Sequence, residues 1–365
     1  MNTTEKKIQL KGLTLTELQD YLISIGEQKF RGAQIFNWMY NHLSFDFREM
    51  KNMSKELLQK LTDTCELQTL NLITTQDSQS TGTKKYLFAT HDGMNIESVL
   101  IPENERNTLC ISTQVGCPLD CKFCATGLMG YKRNLTPGEV VDQYLLAAKE
   151  KGKANITNIV YMGMGEPLLN FETTLKSVEI FTHELTKGLS RTRITISTAG
   201  IAPKIKELAD RGLRVKLAFS LHSAFEDVRI KIMPINKKYS LKENIDALKY
   251  YANKTKTRIT FEYTMLKGLN DRMEDVKAIS KLCGSLPSKI NLIPFNSIKH
   301  MSPGGISSQL EPTSLKDIHQ FADRLRDNNI TVMIRETQGD DIAAACGQLA
   351  VKTNSPGHNT ELAQE

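Results

Sequence analysis

Three thiols fall within eight residues in Cys117-Pro-Leu-Asp-Cys121-Lys-Phe-Cys124, a C-x3-C-x2-C run. Gly116 and Pro118 break regular structure there, so one loop can wrap a single metal centre. Thiolates select zinc, copper(I) or iron–sulfur clusters. A structural zinc site wants four ligands, and the closest histidine, His91, lies well upstream. A [4Fe–4S] cluster held by three cysteines leaves one iron open to a substrate or cofactor. A zinc knuckle and three unconnected thiols stand as the alternatives.

Downstream, Tyr161-Met-Gly163-Met-Gly165-Glu166-Pro167 follows an apolar run. Glycines at a strand end let a ligand approach the backbone, and Glu166 offers a carboxylate to an ammonium. Later runs end in Ser197-Thr198-Ala199-Gly200, Ser220-Leu221-His222-Ser223 and Ile293-Pro294-Phe295-Asn296. Taken singly, each is as readily an ordinary strand-end hydrogen bond. Of the other cysteines, Cys65 and Cys283 sit in apolar patterns and read as buried small hydrophobes. Cys110 precedes the three-cysteine loop, and Cys346 lies in the small-residue run 339–349. Spacing alone assigns that pair nothing beyond a core role.

These residues need elements to position them. Leu15, Leu18, Leu22 and Ile25, then Ile35, Trp38 and Met39, then Leu57, Leu58 and Leu61 behind an N-cap at Ser54, predict helices. Short β-rich runs over 70–75, 85–90, 95–101 and 108–115 predict a small antiparallel region. From residue 155 the pattern alternates: strands at 156–162, 193–197, 215–221, 258–265, 290–294 and 330–335, with helices at 171–185, 203–211, 241–252, 275–282 and 314–328 between them. Repeated βα units imply a parallel sheet with chemistry at the C-terminal strand ends.

At roughly 150 residues per domain, 365 residues make about two or three folding units. Hydrophobic residues at 40% and charged residues at 24% exclude wholesale disorder and collagen-like repetition. No run of about 18 apolar residues is present and the N-terminus lacks an apolar signal core, so a cytoplasmic protein with no membrane partner is expected. Seven cysteines, an odd number in a reducing compartment, argue against a disulfide framework. Lys and Arg exceed Asp and Glu by 47 to 41, which permits a nucleic-acid partner without demanding one.

The C-x3-C-x2-C run resembles the signature of the radical S-adenosylmethionine (SAM) enzymes. CPLDCKFCATG, YMGMGEPLLN, SLHS, INLIPFN and GDDIAAACGQL together resemble one family within them, the dual-specificity ribosomal and transfer RNA adenine carbon-2 methyltransferases. The resemblance covers nearly the whole chain. It implies an α/β fold: a radical-SAM partial (β/α)6 barrel with a small helical N-terminal accessory domain and a β extension. The implied organisation is an RNA-contacting domain over 1–66, the β extension over 67–102, the core over 103–341 and a catalytic cysteine loop over 342–352, while the polar composition of the tail over 353–365 predicts disorder.

By the same resemblance Cys117, Cys121 and Cys124 hold a [4Fe–4S] cluster whose open iron binds SAM, and Phe123 covers it. Gly165, Glu166, Ser197, Ser220, Leu221, His222 and Asn296 line the SAM pocket. Cys346 is methylated by one SAM, a radical from a second SAM removes hydrogen from that methyl group, and the methylene adds to adenine. Cys110 then attacks the sulfur, leaving a transient Cys110–Cys346 disulfide, with Glu97 as proton acceptor. The implied partners are 23S ribosomal RNA and transfer RNA, a flavodoxin-like electron donor and a thiol reductant; a monomer is expected. Lys84, Lys85, Lys132, Arg133, Lys187, Arg191, Arg193, Lys237 and Lys238 flank the inferred barrel mouth or lie in connecting loops, which suits a phosphate backbone, although singly most of them read as solvated surface charges.

Three rivals share parts of the pattern, one of them a radical-SAM enzyme acting on a small metabolite, which leaves the helical N-terminal domain unexplained. A sister enzyme methylating carbon 8 of the same adenine would share the cluster ligands, Glu97, Cys110 and Cys346, but Pro167 and Gly339-Asp340-Asp341 resemble the carbon-2 family more. Ala199 and Ser223 depart from the residues usual there. A non-catalytic RNA-binding protein with a structural metal is the rival of a different class, and it needs neither Cys346 nor Glu166.

Overall fold

The computed structural model describes residues 7–150 and 156–351, so the tail over 353–365 lies outside the described residues. Ten strands form one sheet in strict chain order: β1 (Leu70–Asp77), β2 (Lys84–Thr90), β3 (Asn95–Glu103), β4 (Arg106–Cys110), β5 (Asn158–Tyr161), β6 (Ile194–Thr198), β7 (Lys216–Ser220), β8 (Ile259–Met265), β9 (Ser288–Pro294) and β10 (Val332–Ile334). β1 to β4 pair antiparallel and β4 to β10 pair parallel. β4 therefore joins two regimes, with Cys110 opposite Val99 on one side and Val160 on the other. The antiparallel strands extend the barrel sheet rather than forming a separate unit.

A parallel pair needs a crossover, and a helix fills each one: Pro137–Glu150, Phe171–Thr182, Ala202–Asp210, Leu241–Thr255, Met273–Cys283 and Leu315–Asp327. In Leu241–Thr255 the residues Asn244, Ala247, Leu248 and Tyr251 are buried at helical spacing, and Ser240 with Glu243 closes a capping box. All seven residues of β8 are buried, as a strand covered on both faces requires. β1 and β10 are the sheet's edges, giving an open partial barrel of α/β class.

The N-terminal helices Leu15–Ser24, Phe30–Tyr40 and Lys55–Thr64 form where the apolar spacing places them. The Ser54 hydroxyl accepts the Leu57 N–H at 3.2 Å. Trp38 packs half-buried against the core and donates its indole N–H to Asn52. Cys65 and Cys283 are buried. The segment leading into these helices is locked to the barrel by one fully buried ion pair, Lys11 to Asp142 at 3.1 Å. The other oxygen of Asp142 accepts from the Thr69 N–H and hydroxyl, each at 2.7 Å. Gly12 and Gly138 meet there, and a Cβ on Gly12 would overlap the Gly138 backbone.

Three sequence expectations change. The strand over 108–115 splits: β4 ends at Cys110 and Gln114–Gly116 pairs instead with Tyr131–Asn134. The break is made by side chains, because Gln143 accepts the Ser112 N–H at 2.8 Å and donates to its carbonyl at 2.9 Å. The helix over 171–185 stops at Thr182, since His183 turns extended and its ring accepts the Leu185 N–H. The final strand narrows to Val332–Ile334. Among the described residues no helix is long and apolar enough to cross a membrane.

Asp142→Ala leaves the Lys11 ammonium buried and unpaired, which costs about 3–5 kcal/mol. Urea unfolding is expected to show that loss. A change under about 1 kcal/mol would contradict the ion pair's place as the bolt between the two parts.

Candidate catalytic cavity

At the C-terminal ends of the parallel strands a cavity of ≈ 170 Å³ opens, lined by Cys117, Cys121 and Cys124 together with Glu166, Ser197, Ser220, His222 and Cys346. The three-cysteine loop leaves the barrel through Gly116, whose φ of +72° and close approach to the Gly130 carbonyl admit only glycine. It ends on the short helix Ala125–Leu128. Burial and mutual repulsion push the Cys117 thiol up to about 12, and Cys121 is raised well above its ordinary value for the same reasons. Among the described residues no three His, Cys, Asp or Glu side chains converge closely enough for a single ion. The three thiols line one cavity, and a three-thiolate donor set suits an iron–sulfur cluster.

Glu166 follows β5 and is buried. Its two carboxylate oxygens accept the Leu168 N–H at 3.0 Å and the Ala199 N–H at 2.8 Å. Burial nevertheless raises its pKa from 4.5 to about 7. A carboxylate so poorly compensated fits an ammonium ligand, which would restore its charge. Gly165 makes the turn at φ +101°, where a Cβ would lie 2.6 Å from that of Gln114. Gln114 in turn accepts the Glu166 N–H at 2.8 Å.

His222 stands past β7 in the left-handed region, φ +51°, uncommon for a residue with a side chain. Its Nδ1 accepts the Thr264 N–H at 2.9 Å, and burial lowers its pKa to about 3, so it is neutral with the proton on Nε2. Phe123 packs on the ring at 4.5 Å, placing the residue before Cys124 over the cavity. Leu221 is buried outside the lining; its N–H donates to the Glu262 carbonyl at 3.0 Å.

Cys346 is solvent-accessible within the cavity, yet protein surrounds it densely enough that burial raises its pKa. Its loop has almost no regular structure and is held from four directions. The Ala125 N–H donates to the Gly347 carbonyl at 2.7 Å, and the Thr126 hydroxyl to Leu349 at 2.6 Å. Asn296 donates to the Cys346 carbonyl at 3.1 Å. Gln348 bridges Ser297 and Asp340, while Asp341 accepts the Gln79 N–H at 3.1 Å. Glu97 accepts the Ala350 N–H at 3.1 Å and pairs with Lys85 at 3.3 Å. Burial raises the Glu97 pKa. Cys110, at the end of β4, is a free thiol whose pKa is raised first by burial and then by the charge of Cys346.

The structure thus gathers the three-cysteine loop, Gly165, Glu166, Ser197, Ser220, His222 and Cys346 on one cavity, whereas Glu97, Cys110, Leu221 and Asn296 stand outside its lining. Asn296 sits against the cysteine loop rather than on the pocket wall. Sequence reading missed Arg229, Glu262 and Arg335. Glu262 and Arg335 line the cavity, and the Arg335 charge opposes the upward shifts of both Cys110 and Cys346. Glu262, within β8 in Phe-Glu-Tyr, and Arg335, just past β10 in Ile-Arg-Glu, carried no signal of facing inward.

The basic-loop expectation is corrected in part. Lys84 and Lys85 lie in β2, not in a loop: Lys84 pairs with Glu150 at 3.0 Å and Asp77 at 3.3 Å, Lys85 with Glu97. Arg133 is bound by Asp92 and Glu139. These three charges are neutralised internally. Lys132, Lys187, Arg191, Arg193, Lys237 and Lys238 are exposed.

Residues 111–280 match the Radical SAM superfamily, and residues 8–67 match the ribosomal RNA large subunit methyltransferase N-terminal domain. A Clostridium botulinum (strain Okra) protein named "Probable dual-specificity RNA methyltransferase RlmN" is 45% identical over 336 residues, 92% of this chain and 96% of its own length. The dual-specificity RNA methyltransferase RlmN of a Marinomonas species is 42% identical over 357 residues, 95% of this chain and 94% of its own. A crystal structure of a radical SAM methyltransferase from Sphaerobacter thermophilus matches with a TM-score of 0.88 and 39% identity, covering 94% of this chain and 99% of that one.

Glu166 generates a pH prediction. Its folded pKa, about 7, lies above the ordinary 4.5, so the folded chain binds this proton more tightly. The stability it contributes is full below pH 4.5 and is lost as pH rises through 7. In metal-free protein, Glu166→Gln is expected to flatten the fall in the urea midpoint across that window. An unchanged pH profile would contradict the assignment.

Proposed function

This chain belongs to the RlmN family of radical SAM enzymes, and on that premise we propose that it methylates carbon 2 of adenine in 23S ribosomal RNA and in transfer RNA. The observation that carries the reading is the placement of Cys346: a thiol on a clamped loop, facing the same cavity as the three-cysteine loop and Glu166, with Cys110 near enough to feel its charge. A [4Fe–4S] cluster and SAM are the cofactors of the family, and the donor set fits them. In this reading Cys117, Cys121 and Cys124 hold the cluster. When bound, the two cofactors supply an activated methyl group and a carbon-centred radical.

Everything else falls to the chain. Glu166 holds the amino group of SAM, and Ser197, Ser220 and His222 line its binding space. Leu221 and Asn296, both off the cavity wall, serve the pocket indirectly by fixing the β7 end and the cysteine loop. Carbon 2 of adenine lies between two ring nitrogens and is too electron-poor to attack a sulfonium methyl. Cys346 takes the methyl group instead, because a thiolate is a soft nucleophile. The S-methyl group gives up one hydrogen atom to the carbon-centred radical, leaving a methylene radical on the Cys346 sulfur that adds to the ring, and the adduct returns one electron to the iron–sulfur centre as the ring proton leaves. Glu97 accepts the ring proton, and its buried position raises its affinity for one. Cys110 attacks the Cys346 sulfur, releasing methylated RNA and leaving a disulfide that an external thiol reductant reopens. Two SAM molecules are consumed, one for the methyl group and one for the radical, whose electron comes from a flavodoxin-like donor.

The helical domain over 1–66 contacts the RNA, the exposed basic residues meet its phosphates, and the target base turns out of its stack to reach the cavity. The reading is of a cytoplasmic monomer.

Digesting RNA from a deletion strain and separating the nucleosides tests this directly. Loss of 2-methyladenosine is expected, restored by the wild-type gene and reduced at least about a hundredfold by Cys346→Ala. Loss of 8-methyladenosine instead would reassign the position. Peptide mass spectrometry of Cys110→Ala protein is expected to find Cys346 carrying a methyl group or an RNA adduct. An always unmodified Cys346 would sink the mechanism.

A further inference from the structure

Arg229 is the largest fully buried side chain, with 0% exposure, on the helix Glu226–Ile232 beneath the cavity. Its guanidinium donates to the Ala199 carbonyl at 2.7 Å, to Ser220 at 3.0 Å and to Leu221 at 3.1 Å, and also to the Asn236 side chain. These acceptors are neutral. Among the described residues no carboxylate lies within ion-pair distance of it; Glu226 is linked to it through Asn236 and adds its charge from farther away. The backbone of the same helix also meets the three-cysteine loop, since the Lys122 N–H donates to the Ile232 carbonyl at 2.9 Å. Cys121 lies near enough that a negative charge on its sulfur would favour charged Arg229, as Glu226 does.

A buried cation without an ion-pair partner costs free energy unless an anion nearby offsets it. Burial lowers its pKa to about 10, which leaves it charged at neutral pH. Three thiolates around an iron–sulfur cluster are anionic, and one more electron makes them more so. We propose that Arg229 is the counter-charge of the cluster: a positioning residue whose fixed positive charge raises the reduction potential of the iron–sulfur centre on the three-cysteine loop. The electron comes from a one-electron donor, the reduced cluster gains one negative charge, and Arg229 favours that state. The inference rests on the reading of Cys117, Cys121 and Cys124 as ligands, which iron content tests separately.

The experiment compares full-length, anaerobically purified wild type with Arg229→Met, Arg229→Gln and Arg229→Lys. Iron and sulfide are assayed first, and dithionite titration with mediators then follows the reduced-cluster electron paramagnetic resonance signal without SAM or RNA. Both neutral variants are expected to be harder to reduce by at least tenfold, about 59 mV for a one-electron couple, with Arg229→Lys near wild type. Cluster loading in wild type and the lysine variant, but in neither neutral variant, is the same result read at the level of binding. Loaded neutral variants with unchanged potential would overturn the proposal. So would an equal shift in Arg229→Lys, which would make the hydrogen bonds, not the charge, decisive. A wild type without iron would instead refute the ligand assignment.

Discussion

The hydrogen bond from the Ala125 N–H to the Gly347 carbonyl, 2.7 Å long, joins the two segments on which the rest of the site depends. One carries the three cysteines and the other carries Cys346. The second segment has almost no regular structure, so its position must come from outside it. The end of β9, the turn after β1 and β3 each contribute a clamp, through Asn296, the Gln79 N–H and Glu97. A reactive thiol is thereby placed on a rigid scaffold at one end of its loop and near the close of the described chain at the other. The same contacts make Glu97 a loop anchor, and in the role of proton acceptor that we propose, release from Ala350 would free it for chemistry.

Burial governs the electrostatics of the cavity. It raises the thiols and both carboxyls, Glu166 and Glu262, and lowers His222, so the cavity favours neutral forms until charged ligands arrive. Burial lowers the Arg229 pKa too, to about 10, which still leaves it charged, and Arg335 opposes the upward shifts of Cys110 and Cys346. A site that resists ionisation when empty and holds permanent positive charge suits an anionic iron–sulfur centre and a ligand bearing an ammonium.

The fold was legible in its periodicities because each crossover helix buries one stripe and each strand is short and β-rich. The cavity was legible in its motifs, since the glycines, Glu166 and the three thiols have spacings that chemistry dictates. What escaped depended on partners remote in the chain. Arg229 lies in a charged heptapeptide helix and reads as solvated, although the strand-end carbonyls it binds come from two other elements. Lys84 and Lys85 read as an exposed basic pair until the helix Pro137–Glu150 brings Glu150 to one and the neighbouring strand brings Glu97 to the other. The interruption of the 108–115 strand depends on Gln143, one crossover away. Nothing local marks any of these.

The central claim is that the methyl group reaches RNA through Cys346 and loses one hydrogen on the way. It is tested most directly by supplying SAM with a fully deuterated methyl group to the reconstituted enzyme and weighing the methyladenosine formed after a single turnover. The account predicts a methyl group with two deuteriums and one hydrogen, because one deuterium is abstracted and a proton replaces it. A product retaining all three would show direct transfer and contradict the account.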